Sequence, residues 1–223
     1  MPRTLGAVLF DLDGTLIDSI ALIVDAMHHA FEGFSGPTPA DTDWMAGIGT
    51  PLSKQLALYA RNGAELETLR DRYRSYQAIH HDTRVREFPG TTDVLASLHG
   101  RGLAMALVTS KMDALARRGL DLTGLARFIP VVVGADAVTK HKPGPEPVLL
   151  ALERLGVSAD AAAFVGDSPH DIASGNAAGV TTIGALWGPF TREQIAVANP
   201  AHFIADIREL PGVLALIEGV DVQ

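Results

Sequence analysis

Apolar positions along this chain fall into runs of two lengths. Short, nearly continuous runs at Ala7–Phe10, Leu103–Val108, Phe128–Val133, Ala162–Val165 and Val180–Ile183 are bounded by Gly, Asp, Thr or Ser and predict buried β-strands. Longer amphipathic stretches at Thr91–Leu98, Met112–Leu120, Glu146–Leu155 and Pro169–Ala178 predict helices between them. Strands apolar on both faces, alternating with helices, specify an α/β fold: a Rossmann-like, doubly wound parallel sheet covered on each side. One interval breaks the rhythm. From Asp18 to about Phe88 no strand pattern occurs, and the spacing predicts helices over Ser19–Phe31, Ala40–Ala46, Pro51–Arg61 and Ala64–His80. A crossover connection needs only about a dozen residues. Residues 18–88 are therefore expected to form an inserted helical cap, and residues 1–17 with 89–223 the α/β core.

Composition narrows the classes of function. With 47% hydrophobic and 20% charged residues, the 223-residue chain reads as an ordinary globular protein. A net charge of −8 argues against a nucleic-acid partner or an anionic membrane surface. The absence of cysteine excludes a disulfide framework, a thiol nucleophile and a zinc–thiolate site. No apolar stretch approaches a membrane span, and the run after Met1-Pro2-Arg3-Thr4 is too short for a signal peptide. A cytoplasmic monomer or homodimer is the expectation.

The polar residues at the strand ends carry the chemistry. Asp11-Leu12-Asp13-Gly14-Thr15 follows the first apolar run. If strand alternation continued, both carboxylates would point the same way, and such a pair needs a metal, a proton or a substrate. Asp-Gly is also a common turn dipeptide, and Gly14 and Thr15 allow a tight turn and offer a hydroxyl. Thr109-Ser110-Lys111 follows the second run, Lys140-His141-Lys142-Pro143 the third, and Gly166-Asp167-Ser168-Pro169-His170-Asp171 the fourth. In an open parallel sheet all these strand ends share one edge, where ligands bind. Asp11, Asp13, Asp167 and Asp171 would then form an oxygen-rich, cysteine-free site suited to Mg²⁺. Thr109 and Ser110 could cap a helix or hold a phosphate oxygen. Lys142, in a loop stiffened by prolines, competes with Lys140 for a phosphate-contacting role. The adjacent pairs His28-His29 and His80-His81 read as surface or capping residues, since neighbours on a helix do not face one way. Trp44 and Trp187 carry no specific signal.

These four motifs, in this order and with a helical insertion after the first, resemble the haloacid dehalogenase superfamily of phosphohydrolases across almost the whole chain. Gly47-Ile48-Gly49-Thr50-Pro51-Leu52 is similar to the cap loop of its phosphoglycolate phosphatases. Val108-Thr109-Ser110-Lys111 and the stretch Tyr76–Gly90 are similar to a related branch of inorganic pyrophosphatases. The resemblance implies a Mg²⁺-dependent phosphatase acting on a small phosphorylated metabolite, with phosphoglycolate the first substrate and pyrophosphate the alternative. It implies Asp11 as nucleophile and Asp13 as acid and base. Asp11, Asp13 (through its carbonyl) and Asp167 would hold the metal, supported by Asp171. Gly14, Thr15, Thr109, Ser110 and Lys142 would contact phosphate. A dehalogenase has no use for an acid at Asp13, and a sugar phosphomutase would need a basic dyad in the cap that the sequence does not clearly show. Lys54, Arg61, Arg74, Arg84 and Arg86 are all cations available to a substrate.

Overall fold

Ala7–Phe10 forms the central strand because all four of its side chains are fully buried, two toward each side of the sheet. The structure is a computed structural model describing residues 4–219. In chain order its strands are β1 (Ala7–Phe10), β2 (Ile17–Asp18), β3 (Arg86–Glu87), β4 (Ala104–Val108), β5 (Val131–Val133), β6 (Ala162–Gly166), β7 (Thr181–Ala185) and β8 (His202–Ile204). The helices are α1 (Ile20–Phe31), α2 (Asp41–Gly47), α3 (Leu52–Ala57), α4 (Gly63–Arg84) and α5 (Thr91–Gly100), followed by α6 (Asp113–Thr123), α7 (Glu146–Leu155), α8 (Pro169–Ala178), α9 (Arg192–Ala196) and α10 (Leu210–Glu218).

The main sheet has six strands in the order β5-β4-β1-β6-β7-β8, and every adjacent pair is parallel. Strand period two sorts the side chains. Ala7 and Leu9 join Val108, Phe164 and Leu152 in the cluster under α7, while Val8 and Phe10 join Leu107, Val165 and Leu95 on the opposite face. The chain winds outward from β1 in both directions, so the C-terminal ends of β1, β4 and β6 border the switch point where a crevice forms.

Helices α1–α4 have an apolar centre of their own, built from Met27, Phe31, Trp44, Leu56 and Leu69. Phe31 is its hub, edge-on to Phe34 at 5.2 Å and to Tyr59 at 5.9 Å, with Trp44 tilted against it at 4.9 Å. Burying one such ring contributes about 1.5–3 kcal/mol. The chain leaves and rejoins the sheet side by side, through the antiparallel pair Ile17↔Glu87 and Asp18↔Arg86.

Three differences from the sequence-based expectation have physical causes. The β2–β3 ribbon lies where no strand was expected, because two-residue strands leave no periodic trace. The edge strand β8 went unmarked for a similar reason: His202-Phe203-Ile204 is only three residues long. Helix boundaries shift as well. The run expected over Pro51–Arg61 stops at Ala57, and the next helix starts at Gly63, where Asn62 Oδ1 accepts the Glu65 N–H at 3.0 Å, and continues to Arg84. Among the described residues no helix is long and apolar enough to cross a membrane.

Candidate active site

Strand β1 ends at Phe10, and a tight turn, not continued alternation, delivers the first motif. Leu16 and Ile17 N–H groups both return to the Leu12 carbonyl, at 2.9 and 3.0 Å, and Gly14 donates its N–H to Ile17 O at 2.9 Å. Gly14 takes a φ of 85°, which a side chain would strain. Asp11 and Asp13 therefore share one crevice but hold different partners.

Asp11 is 4% exposed, and its Oδ1 accepts from Lys142 Nζ at 2.9 Å. The same ammonium donates to Asp171 Oδ1 at 2.6 Å and to Val108 O at 3.3 Å. Lys142 thus ties β1, β4 and α8 together, while Lys140 is exposed on the surface. Asp171 is fully satisfied: Oδ2 accepts from Ser168 N at 3.1 Å and Ser168 Oγ at 2.6 Å, in a capping box at the start of α8. Asp167 Oδ1 accepts the Thr15 hydroxyl at 2.6 Å, but its Oδ2 is buried without a hydrogen-bond partner among the described residues. Gly14 and Gly188 wall that oxygen; a Cβ on either would lie 2.5 Å from it.

Asp11, Asp167 and Asp171 each present an oxygen within 4.8 Å of the others. Burial, reinforced by the Asp171 and Asp13 charges, raises the Asp11 carboxyl to about 7 even though Lys142 opposes the shift. Burial and the Asp11 charge likewise push Asp167 well above the usual carboxylate range. Burial works against the charged form of Lys142, yet Asp11 and Asp171 outweigh it and hold the ammonium above its ordinary value. An all-oxygen donor set, an orphaned carboxylate oxygen and glycine-lined space beside it fit a hard divalent cation such as Mg²⁺. Asp171, with both oxygens occupied, supports Asp11 through Lys142, and the Asp13 carboxylate lies outside the cluster.

The raised Asp11 value has a consequence for stability. A carboxyl whose folded pKa exceeds its unfolded one stabilises the fold at low pH and loses that contribution as pH rises through the folded value. Metal-free protein should therefore lose stability relative to Asp11→Asn between about pH 4 and pH 7. Thermal unfolding of both proteins in chelator across that range checks this; a constant difference contradicts it.

The remaining expected contacts divide. Asp13 Oδ1 accepts from Ser19 Oγ and from Lys111 Nζ, each at 2.6 Å. Thr109 is buried at the end of β4, its Oγ1 accepting the Lys111 N–H at 3.2 Å. Three residues expected on phosphate are otherwise engaged. Gly14 N–H is held by Ile17 O, the Thr15 hydroxyl orients Asp167, and Ser110 Oγ donates to Gly49 O at 2.6 Å, joining the core to the loop before α3. Lys142 also has each of its three protons directed at an acceptor.

A cavity of about 330 Å³ opens between this cluster and α1–α4. Of the five cap cations named from the sequence, only Arg74 lines it. Arg61 pairs with Glu65, Arg84 with Asp25, Arg86 binds backbone carbonyls, and Lys54 is not among the lining residues. The core adds Lys111 and Arg118. His81 also lines it, contrary to the surface reading: it is 2% exposed, with Nδ1 2.8 Å from Asp82 Oδ1 and Nε2 without a partner among the described residues. Arg118 Nε donates to the same Asp82 oxygen at 3.0 Å. His28 and His29 do lie on the surface, beside Asp41 and Glu32.

This parallel sheet with acidic residues at the ends of β1 and β6 defines a class, and the comparisons agree. A profile of haloacid dehalogenase-like hydrolases matches residues 8–185, and the chain belongs to that family. A protein of Caldanaerobacter subterraneus subsp. tengcongensis provisionally named pyrophosphatase PpaX is 38% identical, over 96% of both chains. Pyrophosphatase PpaX of Bacillus pumilus is 34% identical, over 95% of this chain and 97% of its own. The crystal structure of a predicted phosphoglycolate phosphatase from Haemophilus somnus 129pt superposes with a TM-score of 0.84 over 94% of this chain and 97% of its own. At 23% identity it shares the fold. The protein is a haloacid dehalogenase-like hydrolase.

Proposed function

We propose that the protein is a Mg²⁺-dependent phosphohydrolase working through an aspartyl-phosphate, with pyrophosphate as its substrate. The observation that carries the chemistry is the pairing of buried Asp11 with Lys142 beside the unpartnered oxygen of Asp167. Asp11 attacks phosphorus in line and the P–O bond to the leaving group breaks, so hydrolysis proceeds in two easier steps. Asp13 gives a proton to the departing oxygen and then takes one from the water that cleaves the acyl phosphate. Asp11, Asp167 and the Asp13 carbonyl would hold Mg²⁺. When bound, the ion supplies positive charge that offsets repulsion between the nucleophile and the phosphate. Lys142 keeps Asp11 aimed and opposes the burial that disfavours its charge, and Thr109 lines the cavity beside it. Helices α1–α4 cover the site and limit water access.

Arg74, Lys111 and Arg118 on the walls of the cavity support pyrophosphate, whose leaving group carries more charge than that of phosphoglycolate. Relatives named pyrophosphatase align over nearly the whole chain. Phosphoglycolate is the second reading, favoured by the apolar side chains Ile48, Leu52, Met112 and Leu115 in the same cavity. Phosphate release with Mg²⁺ from pyrophosphate, phosphoglycolate, sugar phosphates and nucleotides, ranked by kcat/KM, tests this. Pyrophosphate is expected first. Phosphoglycolate in first place moves the protein to the second reading, and slow, equal rates on all contradict both.

A further inference from the structure

Two lysines end at the crevice and differ in what their ammonium protons do. An ammonium has three donors. Lys142 directs all of its protons at Asp11, Asp171 and Val108. Among the described residues Lys111 Nζ has one partner, Asp13 Oδ1 at 2.6 Å, which leaves two protons for a ligand. Its side chain is 11% exposed and lines the cavity. The backbone beneath it is fixed: Lys111 N donates to Thr109 Oγ1 at 3.2 Å, and Lys111 O accepts from Ala135 N at 2.8 Å. Asp13 keeps a second anchor in Ser19 Oγ, so it stays held when Lys111 turns toward a ligand. Across the cavity stand Tyr73, whose hydroxyl is raised in pKa by burial and by the Asp13 charge, and Arg74.

We propose that Lys111 selects substrates by the charge of the group that leaves. An oxygen bonded to phosphorus that departs past Asp13 passes Lys111, and a second, anionic oxygen on that group can accept the two remaining ammonium protons. A leaving phosphate or a leaving carboxylate-bearing alkoxide meets this condition; a leaving group of similar size with no second anionic oxygen does not. Lys111 is therefore a specificity-determining residue for anionic leaving groups, and its contact with Asp13 places it beside the oxygen being protonated. The inference rests on the phosphohydrolase reading with Asp11 and Asp13 in the roles given above, and holds for either substrate named there.

The test measures kcat/KM with Mg²⁺ for pyrophosphate, phosphoglycolate and ethyl phosphate in the wild type, Lys111→Met, Lys111→Arg and Ser19→Ala. Ethyl phosphate matches phosphoglycolate without the carboxylate. Lys111→Met should lower kcat/KM for the two anionic-leaving-group substrates at least about tenfold more than for ethyl phosphate, the scale of a lost charge-assisted hydrogen bond. Lys111→Arg should recover part of that selectivity. Ser19→Ala, which loosens Asp13 from its other side, should lower all three by a common factor. Should Lys111→Met fail to fold, Lys111→Gln takes its place. An equal loss on all three substrates in the Lys111 variants means that Lys111 only positions Asp13, and overturns the proposal; so does no loss. A wild type that releases no phosphate from any of the three overturns the underlying reading as well, whereas one that prefers phosphoglycolate overturns only pyrophosphate as substrate.

Discussion

Asp11→Asn is expected to lower kcat for phosphate release by about 10⁴-fold or more, the scale of removing a nucleophile from a site that otherwise remains assembled. Asn retains the shape of Asp11 and can still meet Lys142, but its amide does not form an acyl phosphate. The fold should survive. Burial already raises the Asp11 carboxyl to about 7, so its charged form is disfavoured where it stands. A neutral side chain there relieves repulsion with Asp167 and Asp171 while giving up the attraction of Lys142. Unchanged turnover by folded Asp11→Asn contradicts the assignment.

Lys142→Met is expected to have the largest effect on stability. The lysine side chain is 1% exposed and, among the described residues, is the one cation bonded within a cluster of three buried carboxylates. Removing one partner of a buried ion pair destabilises by about 3–5 kcal/mol, because the remaining charges stay buried without compensation. A domain of this size loses about 2–4 °C of Tm per kcal/mol, so a fall of roughly 10 °C is expected. The defect should shrink at low pH, where Asp11, raised to about 7, is neutral and no longer needs a counter-charge. Thermal unfolding at neutral and acidic pH checks both parts; an unchanged Tm at neutral pH contradicts the role given to Lys142.

Much of the sheet and the acidic cluster was legible because their signals are local. Ala7–Phe10 is apolar without interruption, and Asp11 follows it directly; Ala162–Val165 and Asp167 repeat the arrangement, and the topology rule for parallel sheets brings the two together. The ambiguity between Lys140 and Lys142 lies in a loop, where spacing says nothing about which side chain turns inward. The cap-side residues were harder for another reason. His81 stands next to His80 and reads as half of a surface pair, but the stripe Leu69, Tyr73, Gln77, His81 recurs every four residues and marks the inward face of α4. That signal was present in the sequence. Lys111 follows Thr109-Ser110 in the sequence and is indistinguishable there from a solvated loop lysine until its contact with Asp13 is seen. Thr15 and Ser110 show the opposite case, hydroxyls at motif positions that turn to Asp167 and Gly49.

The central claim, that hydrolysis passes through Asp11, is tested most directly by trapping the intermediate. Protein mixed with pyrophosphate and Mg²⁺, quenched in acid during turnover and digested, should yield the peptide containing Asp11 carrying one phosphoryl group. Borohydride should convert that residue to homoserine, and Asp11→Asn should give neither product. Turnover with no phosphorylated peptide, or with the phosphoryl group on another residue, would contradict the account.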